Sequence, residues 1–140
     1  MQLELITLTG TVLNTKVYQT TLSTADGEIS VFPDHEPLVT IAKPGVITVR
    51  HEKGHHDTEL EYFAIGGGVV EVSADKIRVL VDEAEHGDDI IEAESQAALE
   101  RALKLRDEAE GQIELEKAHQ LIDRHQVRLK VAELRRRKHR

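Results

Sequence analysis

Three prolines lie within twelve residues, from Pro33 to Pro44, and they are the only prolines in the chain. A proline has no amide hydrogen and a fixed φ, so it cannot occupy the middle of a sheet. The sequence on both sides alternates between apolar and polar residues, as strands do. The segment therefore predicts a rigid connection along the edge of a β-structure. Such exposed, rigid loops often recognise partners.

The first part of the chain, up to about Val81, predicts short strands. Turn signals such as Asp26-Gly27, Pro44-Gly45 and Lys53-Gly54 separate segments of period two. Many short strands at this spacing favour a small antiparallel sandwich or barrel. The strand segments are residues 2–7, 17–22, 46–50, 60–64 and 76–81.

From about Asp88 the apolar period becomes helical. Asp88 and Asp89 predict an N-cap for a first helix, and Gly111 predicts the turn to a second one. The first helix carries a stripe of Ile91, Ala98, Ala102, Leu105 and Ala109, and the second carries Leu115, Ala118, Ile122, His125, Leu129 and Ala132. These stripes predict an antiparallel two-helix hairpin. The expected fold class is α+β, with a β-sandwich at residues 1–87 and the hairpin at residues 88–140.

The predicted seam between the helices is weak, because alanine side chains bury little apolar area. Two states of the hairpin are therefore consistent with the sequence. It either braces the sandwich permanently or is marginally stable and opens for a better partner.

The charge is divided unevenly along the chain. Residues 1–87 contain six Lys or Arg and fourteen Asp or Glu, whereas residues 88–140 contain twelve of each. Residues 126–140 contain seven basic residues and one acid, Glu133. With only two Tyr and two Phe in the chain, this basic end does not match the aromatic, basic grooves of nucleic-acid-binding proteins. It matches a helix end that docks on an acidic protein surface, or one that only complements the helix dipole.

His51, Glu52 and His55 match the zinc-protease motif H-E-x-x-H. The chemistry requires a helix, because only then do both imidazoles point to one metal. Here a strand pattern precedes and follows the motif, and Gly54 favours a hairpin turn. We therefore expect the match to be coincidental and predict no metal site.

Other catalytic motifs are absent from the sequence. It contains no phosphate-binding G-x-x-x-x-G-K-[ST], no G-x-S-x-G and no cysteine. Gly66-Gly67-Gly68 lies between two predicted strands and indicates a bulge or a close backbone approach. These observations predict a protein without catalytic residues or cofactors.

Several ordered segments resemble the epsilon subunit of bacterial rotary ATP synthases. Residues 27–38 read G-E-I-S-V-F-P-D-H-E-P-L, and they are followed by the Pro-Gly turn at 44–45 and by G-G-V-V-E-V at 67–72. A strand ending at Asp82 and an alanine-rich hairpin complete the match. Each piece is a weak signal, but their order and spacing together are specific to the family.

The resemblance implies a non-catalytic subunit at the foot of the central stalk, against the gamma subunit and the c-subunit ring. It would help couple proton translocation to ATP synthesis. Glu28, Pro33, Asp34 and His35 correspond to contacts near the ring, although many relatives have glycine at the position of Asp34. For His35, a hydrogen bond that fixes the loop is an equal alternative.

In relatives, the hairpin can extend and place a basic helix against acidic segments of the alpha and beta subunits, which inhibits ATP hydrolysis. A solvated helix end is the alternative interpretation. The corresponding basic residues here are Arg124, Arg128, Lys130, Arg135, Arg136, Arg137 and Lys138.

Some relatives bind ATP through an I-D-x-x-R-A motif at the start of the first helix. In this chain Ile91 replaces the aspartate and Glu94 replaces the arginine, whereas Glu85 and Arg101 match other positions of the site. A glutamate where phosphate charge must be met is unfavourable. We expect no nucleotide binding.

The resemblance favours a peripheral protein on the cytoplasmic side of a bacterial inner membrane, which it reaches only through its partners. We expect a monomer when the chain is isolated. Two alternatives are a free-standing β-sandwich adaptor that associates through its helices and a zinc hydrolase that uses His51, Glu52 and His55.

Overall fold

The computed structural model describes residues 1–138, and the last two residues of the predicted hairpin lie outside this range. Ten strands come first: β1 Gln2–Thr7, β2 Gly10–Lys16, β3 Gln19–Thr24, β4 Gly27–Val31, β5 Leu38–Ala42, β6 Gly45–Arg50, β7 Glu61–Ile65, β8 Gly68–Val72, β9 Lys76–Val81 and β10 Ala84–His86. Two helices follow, α1 Glu92–Glu108 and α2 Gln112–Lys138. Short 3₁₀ helices occupy Asp57–Glu59 and Gly87–Asp89.

The strands form a nearly closed β-sandwich. Their order is β10-β7-β6-β3-β5-β8-β9-β1-β2, with β4 paired to β3 outside this path. Neighbouring strands are antiparallel except β1 and β9, which are parallel. The predicted α+β fold, a sandwich followed by a helical hairpin, is therefore confirmed.

The core of the sandwich is aliphatic. Phe63 is its single large aromatic side chain in the described part of the chain. The inward residues of each strand alternate with outward ones, for example Leu3 and Leu5 on β1 and Val70 and Val72 on β8. The other core residues are Val17, Leu22, Val31, Ala42, Ile47, Val49, Ile65, Ile77, Val79 and Val81.

The prolines lie in connections, as their chemistry requires. Pro33 and Pro37 connect β4 to β5, and Pro44 connects β5 to β6. Strand β4 has β3 as its partner among the described strands and so forms an edge. The expectation of a rigid connection along an edge agrees with this topology.

Gly68 lies where two backbones approach closely. A Cβ atom at this position would be 1.9 Å from the carbonyl oxygen of Leu80 on the paired strand β9. Because the obstructing atom belongs to the backbone, it cannot rotate away. The glycine-rich segment thus provides a close backbone approach, one of the two roles that its position between strands suggests.

The start of α1 differs from the sequence prediction. Asp88 and Asp89 do not cap this helix but lie in the preceding 3₁₀ helix, where the imidazole of His86 accepts a hydrogen bond from the Asp88 amide. Helix α1 begins at Glu92, and its N-cap, Ile91, has no side-chain oxygen to offer. An apolar contact of the adjacent Ile90 fixes this end instead.

The predicted helical stripes are only partly correct. In α1 the buried residues are Ser95 and Ala102, whereas Ile91 and Leu105 are exposed. In α2 the predicted Ala118, Ile122 and Ala132 are buried, and Val131 joins them. The difference arises because α2 contacts two surfaces: α1 and the sandwich.

The end of α2 packs on the sandwich. Val131 and Ala132 form a small apolar cluster with Ala64 of β7 and with Ile90. Gly87 is enclosed at this contact, since a Cβ there would be 3.0 Å from the Tyr62 carbonyl oxygen and 3.1 Å from Val131. The hairpin is therefore held in a closed position, with α2 against both α1 and the sandwich.

A Gly68→Ala substitution tests the close approach between β8 and β9. We expect the free energy of unfolding to fall by about 2–3 kcal/mol, because the strands must separate to admit the methyl group. Gly54→Ala is the matched control, because open space surrounds Gly54. Urea denaturation of both variants provides the measurement, and equal stabilities would contradict the geometry.

Candidate docking and regulatory surfaces

The loop between β4 and β5 is held in one conformation by its own backbone. Asp34 has a φ of 66°, the left-handed region that glycine prefers. Its amide donates a 2.7 Å hydrogen bond to the Ala74 carbonyl of the β8–β9 turn. The ring Nδ1 of His35 donates to the Glu36 carbonyl at 2.7 Å. This last contact favours a loop-fixing role for His35, while Pro33 and Asp34 remain exposed.

Glu28 lies apart from the other three residues proposed to contact the ring. It is on β4, opposite Ser23 of β3, whereas Pro33 lies beyond the other end of the same strand. Five residues of extended chain span roughly 17 Å. Glu28 instead lines a cleft beside Gln126 and Lys130 of α2. The resemblance to the epsilon family had placed these four residues together.

An apolar surface on β5 and β8 was not recognised from the sequence. Val39 and Ile41 of β5 are 71% and 61% exposed, and Val69 of β8 is 39% exposed. Ile41 is paired with Val69, which is paired with Leu80 of β9, and Leu80 is paired in turn with Ile6 of β1. We call these five residues the apolar band.

Charged side chains border the apolar band. Glu4 binds Lys76 at 3.2 Å and Arg78 at 3.0 Å, and Arg78 also approaches Glu71 at 3.8 Å. The hydrogen bonds from Arg78 and Lys76 lower the pKa of the Glu4 carboxyl. An apolar centre with a charged border is typical of a surface that docks a protein.

A clue to the apolar band was present in the sequence. Leu38-Val39-Thr40-Ile41-Ala42 is almost continuously apolar, yet it belongs to an antiparallel sheet. In such a sheet an outward-facing residue is normally polar if water covers that face. Two outward aliphatic residues on one strand are therefore unusual for a face that water covers.

The basic residues of α2 bind within the chain in this closed state. Arg124 contacts Glu83 at 3.2 Å, and Arg128 contacts Glu85 at 3.0 Å, both on the sandwich side. Arg136 contacts Glu92 of α1 at 2.9 Å. The remaining contacts link Arg135 to the Gly87 carbonyl and both Lys130 and Arg137 to Glu133, while Lys138 ends the helix.

A cleft of about 900 Å³ lies between the sandwich and α2. Glu85 lines it but is already paired with Arg128, which also donates to Ser95 of α1 at 3.3 Å. Ile91 and Glu94, which depart from the nucleotide motif, are exposed at the start of α1, and Arg101 is exposed further along it.

The H-E-x-x-H motif lies in the loop between β6 and β7, not on a helix. His51 binds Glu61 at 3.1 Å, and His55 approaches Glu52 at 3.5 Å and Glu59 at 3.2 Å. Within residues 1–138, no group of three or more His, Cys, Asp or Glu side chains is arranged to hold a metal ion. The helical context that the zinc chemistry needs is thus missing.

None of the helices in the described part of the chain combines the length and apolarity needed to cross a membrane.

Comparison with known proteins defines the class. Residues 1–87 match the family described as ATP synthase, Delta/Epsilon chain, beta-sandwich domain. The ATP synthase epsilon chain of a Sulfurihydrogenibium species is 37% identical over 108 residues, covering 76% of this chain and 78% of the relative. The ATP synthase epsilon chain of Herpetosiphon aurantiacus is 31% identical over 144 aligned positions, covering 97% of this chain and 96% of the relative.

Solved structures share the fold. A chain in the Euglena gracilis mitochondrial ATP synthase, in a structure of OSCP, F1 and the c-ring, has a TM-score of 0.78 at 22% identity, with 94% of this chain and 79% of that chain covered. A chain from the central stalk and c-ring of the Tetrahymena thermophila enzyme has a TM-score of 0.52 at 19% identity, with 64% and 69% covered.

These findings confirm the family that the motifs suggested: the chain belongs to the ATP synthase epsilon chain family. It is a non-catalytic subunit of a rotary ATP synthase, so the hydrolase interpretation of His51, Glu52 and His55 is wrong.

Substitutions at Asp34 test the backbone constraint in the loop. Asp34→Gly and Asp34→Ala remove the same carboxylate, but only alanine retains a Cβ that opposes a positive φ. We expect the glycine variant to be the more stable one, with a free energy of unfolding about 1 kcal/mol above that of the alanine variant. Thermal or urea denaturation measures this difference. If the alanine variant were the more stable, the backbone would not be constrained in this way.

Proposed function

We propose that this chain is a central-stalk subunit that couples proton translocation to ATP synthesis, with its sandwich as the anchor and its hairpin as a regulatory element. The observation that carries the proposal is the apolar band on a sandwich of this family. A subunit that transmits rotation must be fixed firmly to the shaft, and an aliphatic surface with a charged border provides such an attachment.

The gamma subunit is the proposed occupant of the apolar band. The structural relatives from Euglena and Tetrahymena are named as parts of F1, central-stalk and c-ring assemblies, which supports a partner of this kind. The loop at Pro33, Asp34 and His35 lies at the end of β5 opposite the turn at Pro44, where the hairpin cleft begins. We propose that this loop faces the c ring, and that Glu28 belongs to the hairpin side.

The proposed regulation uses the arginines of α2 in two ways. In the closed state, Arg124 and Arg128 bind Glu83 and Glu85 of the same chain. In an extended state, the same guanidinium groups become available to acidic segments of the alpha and beta subunits. Because each arginine can serve only one partner at a time, closure and inhibition exclude each other. Both contacts should weaken with salt.

The division of roles follows the proposed domain boundary, with residues 1–87 as the anchor and 88–140 as the regulator. The proposed location is the cytoplasmic face of a bacterial inner membrane, which the chain reaches through its partners. We propose that the isolated chain is a monomer, whereas the adaptor alternative requires association through the helices.

We expect no binding of ATP at micromolar concentrations. Glu85 is occupied by Arg128, and the exposed Glu94 adds negative charge where a phosphate would lie. Isothermal titration calorimetry measures this directly. The comparison variant Ile91→Asp, Glu94→Arg, Ser95→Ala restores the I-D-x-x-R-A motif and should bind more tightly. Micromolar affinity in the unaltered chain would contradict the proposal.

The central experiment adds the purified chain, or a version ending at Gly87, to a catalytic head that lacks this subunit. We expect both to bind, and only the full chain to slow ATP hydrolysis. Ile41→Glu should weaken binding by at least about a hundredfold, because an unpaired charge buried in an interface costs about 3 kcal/mol.

The matched control for Ile41→Glu is Ile113→Glu. Ile113 is 71% exposed at the start of α2, away from the apolar band, so binding should not change. If neither chain binds the head, anchoring fails as a function. If Ile41→Glu binds normally, the apolar band is not the anchoring surface.

A further inference from the structure

His125 is a half-buried residue with one ring nitrogen that has no partner in the closed hairpin. It lies midway along α2, and its ring atom Nδ1 is inaccessible to solvent and makes no hydrogen bond in the described part of the chain. A buried polar atom without a partner destabilises the state that buries it. The closed hairpin thus contains one group that opening would allow water to hydrate.

The charges around His125 are predominantly positive. Arg101 of α1 and Arg124 and Arg128 of α2 all act on its ring. On the sandwich side, the carboxylates of Glu83 and Glu85 are bound to Arg124 and Arg128, so part of their charge is already compensated. Burial first, and then Arg128, Arg124 and Arg101, lower the pKa of the His125 imidazole.

We propose that His125 makes closure of the hairpin dependent on pH, because a second proton on its ring opposes the packing of α2 against α1 and the sandwich. Acidification then favours the open hairpin. This inference rests on the opening of the hairpin proposed above, but it concerns the isolated chain and does not depend on docking to the rotary enzyme.

The direction follows from proton linkage. In the open state, His125 is hydrated and its pKa returns to the ordinary value of about 6.5. The closed state has the lower pKa and so binds fewer protons. The free energy that favours the closed state over the open state is greatest above about pH 6.5. It decreases as the pH falls toward the pKa of His125 in the closed state. A single proton changes the ratio of open to closed molecules by at most about tenfold per pH unit.

Fluorescence transfer between the two helices tests the proposal. The chain contains no cysteine, so Gln96→Cys on α1 and Gln126→Cys on α2 can be labelled specifically. Both glutamines are exposed and uncharged, and the substitutions leave the net charge unchanged. The open fraction is followed from pH 8 to pH 5 with dyes that do not titrate in this range.

Two variants isolate the effect of His125. His125→Gln removes the titrating ring, and we expect it to flatten the pH dependence below pH 6.5. His119→Gln removes an exposed histidine of the same helix and should leave that dependence unchanged. All other residues are identical in the three chains, so their effects on the pH dependence cancel.

Two results would overturn the proposal. One is an open fraction that stays constant down to pH 5 in the unaltered chain. The other is an open fraction that depends on pH equally in the unaltered chain and in His125→Gln. Nuclear magnetic resonance titration of the imidazoles gives a second measurement that does not rely on a variant. It should find the pKa of His125 below the ordinary value of about 6.5, and an unshifted pKa would also contradict the mechanism.

Discussion

The contact between the end of α2 and the sandwich holds the hairpin in its closed position. An alanine seam alone buries too little area to hold two helices together firmly. Val131 and Ala132 add apolar contact with Ala64 and Ile90, and the arginine pairs add electrostatic attraction along the same surface. Removing the apolar contact would therefore weaken the hold of the sandwich on α2.

The two ends of the sandwich are suited to different tasks. The loop at Pro33–Pro37 is tied to the β8–β9 turn at one end, and the hairpin cleft opens at the other, beside Pro44 and Gly67. The apolar band covers an outer face between them. Because the three surfaces lie on different parts of the sandwich, the proposed movement of the hairpin need not disturb the proposed attachment. The proposed role, a regulator attached to a rotating stalk, requires such a separation.

Local patterns predicted the elements better than their contacts. The alternation of apolar and polar residues predicted the observed bounds of β9, Lys76–Val81. The helical spacing of apolar residues after Asp88 predicted the two-helix hairpin. The cap at Asp88 and Asp89 was misassigned because a 3₁₀ helix precedes α1. The pairing of Arg128 with Glu85, 43 residues away, and the alignment of the apolar band across four strands depend on tertiary register, which spacing along the chain does not encode.

The parallel pairing of β1 with β9 affects the order in which the protein folds during synthesis. The first strand, with its buried Leu3 and Leu5, remains incomplete until residues 76–81 have left the ribosome. Such long-range pairing is slow and leaves apolar surface open to aggregation in the meantime. The helices are synthesised after the strands on which they dock. The hairpin can therefore close as soon as α2 has been synthesised, because the strands on which it packs precede it in the chain.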